Sequence, residues 1–129
     1  MKKKRKTFTP DEWKTVAQKD LERAQRNLRD EDAEAAGFFL QQSLEKYLKA
    51  FLLKQGWQLR KIHALHDLLN DTVVYNSALE QFRKLCKRVA DYNFHECYPH
   101  LVDESLTCND IKMDFKEAKE FIELLFPVD

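Results

Sequence analysis

Glycine, proline and cysteine are scarce in this 129-residue chain, which has two, three and three of them. Each scarcity excludes something. So few breakers leave little of the punctuation that strand-and-turn folds need. The three thiols, Cys86, Cys97 and Cys108, form an odd, sparse set that does not supply a disulfide framework. They suit a reducing compartment, so a cytoplasmic location is expected. No apolar run approaches the roughly 18 residues of a membrane-spanning helix, and the basic start is not followed by the apolar stretch of a secretory signal. No membrane partner is therefore expected. Net charge is also missing, because 22 basic residues balance 22 acidic ones.

That balance is uneven. Lys2, Lys3, Lys4, Arg5 and Lys6 are all basic, so the remainder of a neutral chain is acidic by the same amount. A net-acidic body is a poor general binder of nucleic acid, because affinity comes mainly from neutralising phosphates. Residues 1–8 read as a basic disordered leader and residues 9–129 as a single helical domain. The composition, 43% hydrophobic and 34% charged, suits one globular core.

What is present is helical periodicity. Thr9 is a good N-cap, Pro10 fits the first helical position, and Glu12 completes a capping box. Trp13, Ala17, Leu21, Ala24 and Leu28 then make one apolar stripe on a helix ending near Arg29. Asp30 or Asp32 caps a second helix running to about Gln55, with Gly56 as its stop. Its stripe is Leu40, Leu44, Tyr47, Leu48 and Phe51, and Phe38, Phe39, Ala50, Leu52 and Leu53 spread apolar surface further round. Such a helix is central or lies at an interface. A short third helix follows His66-Asp67. Asn76 or Ser77 opens a fourth, with a capping box from Ser77 to Glu80, and a loop from His100 to Asn109 leads to a fifth that Pro127 closes. The expected fold class is all-α, a five-helix up-and-down bundle.

The segment Phe39 to Ala50 carries a Gln41-Gln42 pair, then Glu45-Lys46, then Lys49-Ala50. Trp13, Ala17, Asp20, Leu21 and Ala24 precede it. His66-Asp67-Leu68-Leu69, Tyr92 and Tyr98-Pro99 follow. These pieces, in this order, resemble the HEPN family (higher eukaryotes and prokaryotes nucleotide-binding) from about Pro10 to Leu125. The resemblance implies a helical bundle that pairs through its helical faces. It also implies one of two activities. Some members are ribonucleases, often toxins of toxin–antitoxin systems, using an Arg, then four to six residues, then a His. Others lack that motif and are thought to bind nucleotides or RNA, often beside a small nucleotidyltransferase. Here Cys97 stands where the Arg of the family's Arg-Tyr-Pro element would be, and a thiol lacks the fixed positive fork that stabilises phosphoryl charge. The reading is therefore a non-catalytic HEPN-like binding module for nucleotide or RNA, with a homodimer or a small nucleotidyltransferase partner expected.

Two alternatives stand beside it. The first is a metal-independent ribonuclease with displaced residues. Arg88 and His95 satisfy the bare spacing late in the fourth helix, whereas Arg60 and His66 satisfy it in a connector. The second is a plain helical interaction domain. Arg83, Lys84, Lys87 and Arg88 form a basic face. It reads either as a solvated face, with Glu80 pairing Lys84 and Lys87 pairing Asp91, or as a phosphate-contacting surface that Arg60 and Lys61 extend. The strip Gln41, Gln42, Glu45, Lys49 reads as a hydrogen-bond network holding helices in register, or as part of a ligand groove or dimer seam. His66 reads as capping or orienting the third helix. The ligand-binding candidates are thus Gln42, Glu45, Lys49, His66, Arg83, Lys87 and Tyr98. His95, Cys97 and His100 match no recognisable zinc module and read as a polar turn. No Gly-rich phosphate loop or nucleophile pair stands out, and neither cofactor nor metal is expected. Phe38, Phe39 and Leu53 are apolar surplus that a twofold-related copy would cover.

Overall fold

The computed structural model describes residues 8–58, 64–97 and 107–128, with side chains in the second stretch as far as Tyr92. Five helices make a bundle: α1 (Pro10–Arg29), α2 (Ala33–Lys54), α3 (Leu65–Val73), α4 (Arg83–Cys97) and α5 (Cys108–Leu125). Among the described residues there is no strand. The basic leader lies outside the described residues apart from Phe8.

The helix boundaries follow local chemistry. Glu12 N–H donates to Thr9 Oγ1 at 3.2 Å and Thr9 N–H donates to Glu12 Oε1 at 2.8 Å, so the capping box opens α1. Ala35 N–H donates to Asp32 Oδ1 at 3.1 Å, making Asp32 the N-cap of α2. Gly56 stops that helix with φ +92°, a conformation that costs glycine little. Three details differ from the sequence expectation. α3 starts at Leu65, so His66 and Asp67 sit inside its first turn and no side chain caps it. The fourth helical stretch opens as a 3-10 helix, Ser77–Phe82, capped by Asn76, and becomes α4 at Arg83. The Ser77 capping box does not form there, because both Glu80 oxygens go to Arg83 instead. Thr107 caps α5 with Asp110, which starts that helix inside the expected loop.

α2 is the axis of the bundle, touching α1, α3, α4 and α5. Leu40, Leu44, Leu48 and Leu52 are fully buried on it. α1 lies along it, and polar bonds fix the register. Ser43 Oγ donates to the Ala17 carbonyl at 2.8 Å, Tyr47 OH to Gln18 Oε1 at 2.6 Å, and Lys46 Nζ to Asp20 Oδ2 at 2.6 Å. Gly37 admits α4 and α5 closely, since a Cβ there would lie 3.0 Å from Tyr92 Cβ and 3.2 Å from Ile111 Cδ1. Phe121 of α5 stacks on Phe82 at 4.6 Å between ring centroids. Trp57 Nε1 donates to Asp71 Oδ2 at 3.0 Å and ties the connector to α3. No described helix is long and apolar enough to cross a membrane.

Candidate functional site

The candidate residues fall into two groups. The first lies where α3 meets the start of α4. Arg83 sits on the first turn of α4, and its guanidinium grips Glu80 through Nε and Nη2, the latter at 2.8 Å. The Arg83 Nη1 donates to His66 Nδ1 at 3.3 Å. An arginine has no acceptor, so His66 holds its proton on Nε2 and offers the Nδ1 lone pair. His66 thus ties α3 to α4 rather than capping α3. The Arg83 bond holds the Glu80 carboxyl below its usual range, and Glu80 in turn pushes the Arg83 guanidinium up.

The expected helical pairs do not form here. Glu80 pairs with Arg83 at i, i+3 rather than with Lys84, because the planar fork matches a carboxylate with two parallel bonds. Lys84, Lys87 and Asp91 are all exposed, and no ion pair joins Lys87 to Asp91. Among the described residues, Lys84 and Lys87 have no ion pair, and both are exposed on the outer face of α4.

Arg88 is held differently. Its Nε donates to Asp114 Oδ1 at 3.0 Å, and its Nη2 to Glu117 Oε1 at 3.0 Å. The other Asp114 oxygen accepts a short hydrogen bond from Tyr92 OH. Asp114 is only 4% exposed, whereas the Arg88 side chain is 48% exposed. The Asp114 bond is the first cause that pushes the Arg88 guanidinium up. Burial, then the Asp114 bond and charge, push the Tyr92 phenol up too. Asp114 and Glu117 have no local sequence pattern that marks them. Their role appears only once α5 is laid against α4.

The second group is the α2 strip. Lys49 Nζ donates to Glu45 Oε2 at 2.9 Å, and both are buried. Gln42 Nε2 donates to Gln41 Oε1 at 2.7 Å. Trp13 closes over Lys49, with the ammonium 5.3 Å from the ring centroid. These two hydrogen bonds run within α2, and the Trp13 contact is what joins the strip to α1. Asp20, marked in the sequence only by the family pattern, accepts from Arg23 Nη1 at 2.7 Å and from Lys46 Nζ at 2.6 Å. Tyr98, His100, Arg60 and Lys61 lie outside the described residues, as do the side chains of His95 and Cys97. By backbone position, His95 and Arg88 are seven residues apart on α4 and share a face of that helix. Among the described residues no three metal-ligating side chains converge.

The family model described as HEPN domain matches residues 10–126. The chain belongs to the HEPN domain family. The α2 segment of Gln-Gln, Glu-Lys and Lys-Ala is thus the buried axis of a HEPN domain, and His66-Asp67-Leu68-Leu69 is its α3. Among solved structures, TT1696 from Thermus thermophilus is similar, with a TM-score of 0.75 at 24% identity over 90% of this chain and 94% of that one. That likeness concerns the fold. No curated protein matches the chain.

Proposed function

We propose that this HEPN domain is a non-catalytic, dimeric binding module for nucleotide or RNA. One observation carries the reading: the Arg88 guanidinium faces two carboxylates, Asp114 and Glu117, while the exposed Lys84, one turn before it, and Lys87, its chain neighbour, have no ion pair among the described residues. A guanidinium already neutralised by two acids has little positive field left for a phosphorane-like charge. Exposed ammonium groups, by contrast, contact phosphates without performing chemistry. His66 and Arg83 extend that surface towards α3. Cys86 and Cys108 are free thiols, in keeping with a reducing, cytoplasmic setting.

The dimer seam belongs on α2. Phe38, Gln42 and Leu53 share one side of it, and all three are half-buried. Phe39 is less of a surplus than expected, because the Arg23 guanidinium lies 5.8 Å from its ring centroid. The seam would take a second copy, and the family resemblance adds a small nucleotidyltransferase as the partner protein.

Labelled RNA incubated with the purified protein tests both binding and cleavage. Intact RNA is expected, with affinity reduced by at least about tenfold in the double variant Lys84→Glu/Lys87→Glu and a shallower salt dependence. The competing ribonuclease reading rests on Arg88 and His95 sharing a face of α4. RNA cleavage abolished by Arg88→Ala or His95→Ala, but not by Lys3→Ala, would establish that reading instead. Light scattering reads the dimer. A species at twice 15.4 kDa that Phe38→Glu converts to monomer locates the seam on α2, and a monomer in the unaltered protein removes the homodimer.

A further inference from the structure

α1 runs antiparallel to α2, since Ser43 bonds to Ala17 while Lys49, further along α2, lies over Trp13, earlier in α1. One end of the bundle therefore gathers the start of α1 and the end of α2. The ends of α3 and α5 join them there. Tyr75, just past α3, lies against Phe51 at 6.4 Å between ring centroids. Phe126, just past α5, lies against Phe51 at 6.4 Å and Tyr47 at 6.1 Å. Six large apolar side chains are exposed among the described residues, and five of them, Phe8, Val74, Tyr75, Leu124 and Val128, belong to these four helix ends. Tyr75 is 48% exposed and Val74 79%. Apolar side chains gathered in water at one end of a bundle mark an interaction surface.

Two cations stand on the same surface. The Lys14 Nζ lies 4.4 Å and the Lys54 Nζ 6.0 Å from the Phe126 ring centroid. Both lysines are exposed, and neither has an ion pair among the described residues. Asp11, three residues before Lys14, is exposed and does not bridge to it. The seat of these lysines separates them from Lys84 and Lys87. An aromatic face attracts an ammonium but leaves its outward N–H groups open to a carboxylate. Lys14 and Tyr47 also line a groove of about 480 Å³ along α1, with Thr15, Gln18, Lys19 and Glu22.

We propose that this end of the bundle docks an acidic segment of a partner protein. An apolar side chain of that segment covers Tyr75 and Phe126, and its carboxylates meet Lys14 and Lys54. Charge complementarity chooses the occupant. A basic segment would bring like charge to the point where its apolar anchor has to land, and a neutral one would leave both ammonium groups without an acceptor. The dimer seam proposed above lies elsewhere. Tyr47, Phe51 and Lys54, spaced by four and three residues, share one side of α2, whereas Phe38, Gln42 and Leu53 project from the opposite side. A dimer formed through that seam keeps this surface open to a partner.

Calorimetric titration of the full chain with the peptide Glu-Glu-Leu-Phe-Glu-Glu, acetylated and amidated at its ends, tests this. Two control peptides carry lysine in place of the acids or serine in place of the Leu-Phe pair. Saturable binding of the acidic peptide is expected, with both controls weaker by about tenfold or more and with affinity falling as salt rises. Lys14→Glu/Lys54→Glu and, separately, Tyr75→Ser should each weaken it by at least about tenfold. Lys84→Glu/Lys87→Glu should leave it unchanged, so this surface and the α4 lysines fail separately. Circular dichroism checks that each variant keeps its helices. No heat at millimolar acidic peptide overturns the proposal. So does binding that both patch variants leave intact, or a basic control that binds as tightly. A dimer that Tyr75→Ser converts to monomer gives the surface to a second copy instead. Sedimentation with phosphatidylserine vesicles that both patch variants abolish gives it to a lipid surface.

Discussion

Two seams of this bundle, α1 against α2 and α4 against α5, each contain a buried aspartate held by neighbouring donors. In the first, Asp20 is 2% exposed and bonds to Arg23 and Lys46. In the second, Asp114 is 4% exposed and bonds to Arg88 and Tyr92. What surrounds them differs. α1 touches α2 along its whole length, with Ala17, Leu21, Ala24 and Leu28 buried between them. α4 and α5 touch at few points. The donors differ as well. Arg23, Lys46 and Arg88 all reach water along their own stems, whereas Tyr92 is buried and, among the described residues, its hydroxyl hydrogen-bonds to Asp114. A carboxylate in the first seam is one bond among many, and in the second it organises the contact.

The largest expected effect tests the frame common to both seams. Leu48 is fully buried at the centre of α2. Leu48→Ala should cost about 2–5 kcal/mol in chemical denaturation, the range for truncating a packed leucine. A loss below about 1 kcal/mol would remove α2 from the centre.

The comparison itself predicts unequal costs for the two aspartates. Asp114→Ala leaves the Tyr92 hydroxyl buried without an acceptor, a penalty of about 1–3 kcal/mol. Asp20→Ala strands only cations that hydrate, so about 1 kcal/mol or less is expected. Adding Tyr92→Phe to Asp114→Ala should recover part of the loss, because the orphaned group is then gone. Equal costs for the two aspartates, or no recovery, would break the contrast. Gly37→Ala probes the same seam sterically. Its Cβ would press on Tyr92, and overpacking of this kind costs about 1–3 kcal/mol.

The first seam was more legible in the sequence than the second. The Thr9 and Glu12 box, Pro10 and the stripe from Trp13 to Leu28 are local signals, and they place α1 to the residue. The α2 stripe is equally local, and so is the Glu45–Lys49 pair at i, i+4. Asp114 sits in a helix full of acids and lysines, where nothing local separates a buried carboxylate from a solvated one. Its partners are 22 and 26 residues back along the chain. Glu80 shows a subtler miss. The expected Lys84 pairing is sound as helix spacing, but an arginine one residue nearer offers a bidentate fork and takes the carboxylate. Of the candidate site, the cationic residue types were visible. Which of them remain unpaired was not, because that depends on contacts between helices.

The smallest effect separates the seams by titration. Burial, helped by the Glu22 carboxylate, pushes the Tyr47 phenol up to about 12 in the α1–α2 seam. In the α4–α5 seam burial comes first and the Asp114 bond adds to it, pushing the Tyr92 phenol up as well. A folded pKa above the unfolded one favours the neutral phenol in the fold. Each tyrosine therefore contributes stability that is complete below the unfolded value of about 10, and it is lost as pH rises through the folded value. For Tyr47 that window runs from about pH 10 to about 12. Absorbance at the tyrosinate band, followed in the native protein, should show Tyr47 and Tyr92 ionising above the unfolded value of about 10. Asp114→Asn should then bring Tyr92 down, by removing the carboxylate's charge, while leaving Tyr47 where it was. If both phenols titrate near 10 in the folded protein, neither seam shields its tyrosine. If Asp114→Asn moves both together, the two seams are not independent.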